Sequence, residues 1–105
     1  MKGICLSFYF YEFQKHQGVL LHEYLLESAR KMGIMGGTAI KAVAGFGHHG
    51  KLHEEQFWDI ASNVPMEVKF FLSEEQSQEF FQFLRKEHMA LFYSKTNAEY
   101  GFLDK

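Results

Sequence analysis

The sequence has little proline, tryptophan or cysteine: one residue of each among its 105 residues. The lone cysteine, Cys5, excludes an internal disulfide and suits a reducing compartment, so we expect a cytoplasmic protein. There is no apolar run of about 18 residues, so no transmembrane helix is expected, and residues 1–6 lack the cleavage pattern of a signal peptide. Neither sign of charge dominates, since the formal net charge is −2. That balance gives no general attraction to nucleic acid or to an anionic membrane.

Apolar residues, in contrast, are abundant. They make up 47% of the chain, which argues against disorder and predicts a single folded domain over residues 1–105. Aromatic residues alone account for 17%, and aromatic side chains are frequent at interfaces as well as in cores. We therefore expect part of this aromatic content to lie between subunits.

The periodicity of apolar residues predicts four strands and two helices. Strict alternation indicates a strand over Ile4–Tyr11, and helical spacing follows over 18–32. Ser73 and Gln76 form a predicted capping box for a second helix that runs to about Glu87. The other three strands are predicted over residues 38–44, 64–72 and 89–96.

This order of elements, strand-helix-strand twice, predicts a ferredoxin-like α+β fold, βαββαβ. The four-stranded sheet is expected to be antiparallel, with both helices on one of its faces. The other face is then uncovered, and we expect Tyr9, Tyr11, Val43 and Phe71 there. An uncovered face with so much apolar surface predicts oligomerisation.

Residues 45–63 form a long connection that carries most of the candidate chemistry. His48, His49 and His53, with Glu54 and Glu55 beside them, offer imidazole and carboxylate ligands for a divalent metal such as zinc or copper. Their spacing matches no named zinc motif, and an ordinary polar loop in which the histidines are incidental is the simpler explanation.

An anion site is the second possibility in the same segment. Gly45, Phe46 and Gly47, with Lys51 after a further glycine, could present backbone N–H groups and an ammonium to a phosphate. Alternatively the glycines only let the chain turn. No combination of nucleophile, base and orienting group can be assembled from the sequence, so we do not expect an enzyme.

The segment from Leu25 to His53 resembles a small bacterial family of the PII-like superfamily. The family pattern is a helix that ends in Arg-x-x-Gly-Ile, then a Gly-Ala-Thr-like turn, then Gly-Phe-Gly and a later histidine. The matching residues here are Arg30, Gly33, Ile34, Gly36, Gly37, Thr38, Gly45, Phe46, Gly47 and His53. Further along, Asn63–Val68 and Ser73–Glu75 match the family's later strand and acidic helix start.

This resemblance implies a trimer with its sheets facing inward, in which residues 45–63 correspond to the T-loop that contacts target proteins. It implies a signalling protein that binds an adenine nucleotide at clefts between subunits, with a membrane transporter or a metabolic enzyme as its target. Candidate ligand-binding residues are Lys41, Gly45, Phe46, Gly47, Lys51 and Arg85, with Lys86 as an alternative to the last.

Two features depart from the family pattern. The glycine-rich phosphate loop of true PII proteins is replaced by Arg85-Lys86-Glu87-His88-Met89, and the tyrosine that they can carry at the loop tip is missing. Two alternatives therefore stay open. One is a metal-binding trimer like the copper-tolerance proteins of the same fold, with His48, His49 and His53 as ligands, and the other is an interaction module without a ligand.

Overall fold

The computed structural model describes residues 1–47 and 64–104. In chain order its elements are β1 (Lys2–Tyr11), β2 (Lys15–His16), β3 (Val19–Leu20), α1 (Leu21–Lys31), β4 (Gly36–Lys41), β5 (Pro65–Leu72), α2 (Glu74–Lys86) and β6 (Phe92–Glu99). Neither helix in the described ranges has the length and apolarity needed to cross a bilayer.

The main sheet has the strand order β4-β5-β1-β6, and every neighbouring pair is antiparallel. The long strand β1 lies in the interior of the sheet, where Phe8 pairs with Val68 of β5 on one side and with Tyr93 of β6 on the other. This arrangement confirms the predicted ferredoxin-like α+β class.

Both helices pack on the same face of the sheet, as the alternation in β1 requires. Phe8 is 1% exposed, and its ring makes edge-on contacts with those of Phe70 in β5 and Phe80 in α2. Such tilted aromatic pairs add to the stability gained from burial. The buried apolar residues of this layer are Ile4, Leu6, Phe8, Phe10, Leu21, Leu25, Ala29, Ile34, Met66, Val68, Phe70, Leu72, Phe80 and Leu84.

The start of α2 is the capping box that the sequence predicts. The amide of Gln76 donates to Oγ of Ser73 at 3.0 Å, and Oε1 of Gln76 accepts from the amide of Ser73 at 3.1 Å. The side chain of Gln76 also donates to the carbonyl of Gly33 just after α1, so the cap joins the two helices.

A small hairpin, β2–β3, precedes α1 and replaces the predicted first turn of that helix. His16 pairs with Val19, which leaves Gln17 and Gly18 as a two-residue turn. Both have positive φ, 53° and 82°, as a tight hairpin turn requires. Helix α1 therefore begins at Leu21 and not at the predicted residue 18.

Two strands are shifted from their predicted bounds. Strand β4 ends at Lys41, which pairs with Met66, the second residue of β5, so Val43 has no counterpart in β5, lies outside the sheet and is fully exposed. The expectation that Val43 belongs to the uncovered face is wrong. Strand β6 begins at Phe92, not Met89, because the amide of Met89 closes the end of α2 on the carbonyl of Leu84.

Candidate functional site

The two ends of the 45–63 segment are held together at one end of the sheet. The amide of Ala42 donates to the carbonyl of Pro65 at 2.9 Å, and the amide of Glu12 donates to the carbonyl of Val64 at the same distance. Nζ of Lys41 lies 2.8 Å from Oε2 of Glu12. These contacts tie the end of β1, the end of β4 and the start of β5 into one fixed base for the segment.

A cavity of about 420 Å³ lies at this base. Its volume is in the range of small-molecule sites. Residues from the ends of β1, β5 and β6 and from the chain that enters the segment line it: Tyr9, Phe10, Tyr11, Ala42, Ala44, Gly45, Phe46, Gly47, Pro65, Met66, Glu67 and Phe92.

Among the described residues, the lining of this cavity is aromatic, with one carboxylate, that of Glu67. The rings of Tyr9 and Phe92 lie 5.7 Å apart and are tilted by 52°. Oη of Tyr9 is 3.3 Å from Oε2 of Glu67, to which it donates, and 3.3 Å from Oγ of Ser94. Nζ of Lys69 is 3.9 Å from the same Glu67 oxygen but is not part of the described lining. The cavity can therefore accept a flat group that donates hydrogen bonds.

The structure brings together only part of the predicted ligand set. Gly45, Phe46 and Gly47 all line the cavity, with the Phe46 side chain exposed at its rim. Lys41 pairs with Glu12 and does not line it. Lys51 lies outside the described residues.

Arg85 belongs to another part of the surface. Its guanidinium lies 5.7 Å from the centroid of the Phe81 ring, and it lines a separate cavity of about 150 Å³ beside Met89 and Tyr93. In place of a phosphate loop, the residues after α2 form a tight helix end, where the amide of His88 donates to the carbonyl of Arg85.

The predicted metal ligands His48, His49 and His53 also lie outside the described residues, as do Glu54 and Glu55. Within 1–47 and 64–104, no group of three His, Cys, Asp or Glu side chains is arranged to hold a metal ion.

The sequence did not predict that Glu67 and Phe92 line a cavity. Glu67 was visible only as a polar residue in the outward half of an alternating strand, and Phe92 as one apolar residue of a strand. The signal that could have found Glu67 is its register, since it lies opposite Tyr9 in the paired strands. That register depends on strand pairing, which a linear pattern does not contain.

Within residues 1–47 and 64–104, no helix or second sheet covers the face of the main sheet opposite the helices. Tyr9, Tyr11 and Phe71 lie on it as predicted, and Phe71 contacts the ring of Tyr100 at 5.6 Å between centroids. Strand β6 adds Phe92, whose side chain is 61% exposed.

Comparison with known proteins agrees with this architecture. The family described as DUF190, Uncharacterized ACR, COG1993, matches residues 3–90. A UPF0166 protein of Aquifex aeolicus (strain VF5) is 28% identical over 80 residues, which cover 76% of each chain.

Solved structures of similar fold cover nearly the whole chain. A crystal structure described as a PII-like signaling protein, from Thermus thermophilus, has a TM-score of 0.59 at 19% identity, covering 93% of this chain and 87% of that one. The structure of CPII from Thiomonas intermedia, bound to ADP and bicarbonate, has a TM-score of 0.53 at 17% identity. The match covers 93% of this chain and 89% of that one. At these identities the likeness shows a common fold.

Proposed function

The chain belongs to the DUF190 family, and from that membership we propose that it is a PII-like regulatory protein without catalytic activity. In this proposal it forms a trimer and binds a small ligand, an adenine nucleotide in the first instance, at clefts between subunits. The bound ligand changes the affinity of residues 45–63 for a target protein in the cytoplasm, such as a metabolic enzyme or a membrane transporter.

The cavity at the base of the 45–63 segment is the observation that carries this proposal. Gly45, Phe46 and Gly47 form part of its wall and lead directly into the segment. A ligand in the cavity therefore touches the residues through which the segment leaves the sheet. Ligand binding can favour one arrangement of the segment over another only through such differential contacts.

The uncovered sheet face supports the trimer. Phe71, Ile40 and Phe92 expose 39%, 43% and 61% of their surfaces, and all three lie at register positions of that face. Burial of this surface against copies of the same chain would remove apolar area from water. The adenine nucleotide is supported by CPII, a protein of the same fold that has been seen bound to ADP.

The proposed ligand-binding residues are Lys41, Gly45, Phe46, Gly47 and Lys51 of one chain together with Arg85, which lines a separate cavity in the same chain and so has to come from a neighbouring subunit. For Lys41 to bind the ligand, its ammonium must exchange its present partner, the Glu12 carboxylate, for a phosphate of the ligand. The Lys41 side chain is 61% exposed, so its ammonium can reach a phosphate in solvent, but the exchange leaves the Glu12 carboxylate, which is 19% exposed, without this cation.

Native mass spectrometry of the purified chain with ADP, AMP and divalent zinc or copper tests the proposal. We expect a trimer that carries up to three nucleotides, and Lys51→Ala to lower nucleotide affinity at least tenfold. Lys31→Ala, which removes an exposed ammonium at the end of α1, is the matched control and is expected to bind as the unchanged chain does.

Two results would overturn the proposal. One is a trimer that binds only the metal and loses it in a variant with alanine at His48, His49 and His53. The other is a trimer that binds none of the probes, which would leave a ligand-free interaction module.

A further inference from the structure

Among the described residues that line the cavity at the base of the 45–63 segment, Glu67 is the only one with a charged side chain. We propose that this cavity receives the adenine base of the ligand, with the 6-amino group donating a hydrogen bond to the Glu67 carboxylate. The phosphates then lie outside the cavity. This placement rests on the proposed function, since it assumes that an adenine nucleotide binds.

Charge is the first argument for this orientation. A phosphate within the cavity would meet the carboxylate of Glu67, a like charge, in a site with mostly apolar walls where charges are poorly screened. The ammonium of Lys69 lies 3.9 Å from Glu67 and balances part of that charge, but the described lining offers no cation for the phosphate itself. An amino group, in contrast, is a donor and needs an acceptor.

The shape and chemistry of the walls are the second argument. Tyr9 and Phe92 present two aromatic rings beside Glu67, and both are accessible from the cavity. A planar base can pack against such rings, and its polar edge then needs a partner at the side. The Glu67 carboxylate, held by the Tyr9 hydroxyl at 3.3 Å, lies at that side.

The test compares ADP with purine riboside 5′-diphosphate, which lacks only the 6-amino group, by isothermal titration calorimetry on the full chain. An acceptor in a partly enclosed cavity that is left without its donor weakens binding, so we expect ADP to bind about tenfold more tightly than the analogue. In Glu67→Leu this preference should disappear. Glu67→Gln retains an acceptor oxygen and should keep much of it, while Glu79→Gln, an exposed change on α2, should leave it unchanged.

Three outcomes would overturn the placement, and one of them also overturns the proposed function. Equal affinity of the unchanged chain for ADP and the analogue shows that the 6-amino group meets no acceptor. If 2′-deoxy-ADP binds more weakly than ADP and Glu67→Leu removes that difference, the ribose and not the base occupies the cavity. If none of the three nucleotides binds, the nucleotide-sensing function itself fails, and the placement fails with it.

Discussion

Glu87, at the end of α2, holds the β2–β3 hairpin against the helical layer. One of its oxygens accepts from Nε2 of His16 at 3.2 Å, from Nε2 of Gln17 at 3.1 Å and from Oη of Tyr24 at 3.2 Å. The hydrogen bond from His16 and then that from Tyr24 lower the pKa of the Glu87 carboxyl below its ordinary value of 4.5, because they favour the charged form. Desolvation and the same carboxylate raise the pKa of the Tyr24 hydroxyl.

The lowered pKa of Glu87 predicts a pH dependence. A carboxyl with a lower pKa in the folded state contributes stability that is present above its unfolded pKa and is lost as the pH falls through its folded pKa. We therefore expect Glu87→Gln to lower the unfolding midpoint at neutral pH, and the gap from the unchanged chain to narrow as the pH falls below about 4.5. Thermal unfolding followed by circular dichroism from neutral to acidic pH measures both curves.

Glu79→Gln is the control for this prediction, since it removes an exposed carboxyl from the same helix. The unfolding midpoint of Glu79→Gln should change with pH in parallel with that of the unchanged chain. A constant gap between Glu87→Gln and the unchanged chain at all pH values would contradict the assignment of the effect to ionised Glu87.

At the scale of the elements, both helices end in the same way. The amides of Gly33 and Ile34 donate to the carbonyls of Arg30 and Ala29 after α1, and those of His88 and Met89 donate to the carbonyls of Arg85 and Leu84 after α2. This Schellman pattern needs a left-handed residue at its centre. Gly33 provides it with a φ of 81°, whereas α2 uses a histidine with a φ of 58°.

The difference between the two helix ends predicts opposite effects of two substitutions. Gly33→Ala should lower the free energy of unfolding by about 1 to 2 kcal/mol, because a side chain is disfavoured in the left-handed region. A Cβ there would meet no atom within 4 Å, so the effect isolates backbone conformation. His88→Gly should raise the free energy of unfolding by about 1 kcal/mol, because glycine adopts the left-handed conformation without the cost of a side chain. Urea unfolding at one protein concentration measures both, and a loss of stability in His88→Gly would contradict this account.

The elements that sequence alone could predict are those whose signal is local. The alternation in β1 and the reciprocal pairing of Ser73 with Gln76 depend on neighbours in the chain, and the structure contains both. The β2–β3 hairpin was missed because its strands have two residues each, too few for a periodic pattern. Gln17-Gly18 was its only local signal, and a helical stripe that begins a few residues later obscured it.

At the scale of the whole molecule, the uncovered sheet face determines assembly in the proposed trimer. Phe71→Glu places a charge at a half-exposed position of that face and should convert the trimer to monomers without loss of far-ultraviolet circular dichroism. Gln82→Glu places the same charge on the exposed side of α2 and should remain trimeric. Light scattering after size exclusion measures both, and a Phe71→Glu variant that stays trimeric would show that another surface mediates assembly.

The candidate site was predictable only where it is continuous in sequence. Gly45-Phe46-Gly47 is a visible motif, and it lines the cavity. Tyr9, Glu67 and Phe92 come from three strands, and pairing across β1 brings them together. A pattern along the chain holds no record of that pairing, so Tyr9, Glu67 and Phe92 were not among the predicted site residues.

The backbone hydrogen bonds that join Ala42 to Pro65 and Glu12 to Val64 have an evolutionary consequence. They hold the chain at Ala42 and at Val64, on either side of residues 45–63. Lengthening a connection between fixed points costs only about 0.6 kcal/mol for each doubling. In the proposed function, insertions, deletions and new side chains can therefore accumulate in this stretch, and one scaffold can acquire different targets in different lineages while its core sequence remains under separate selection.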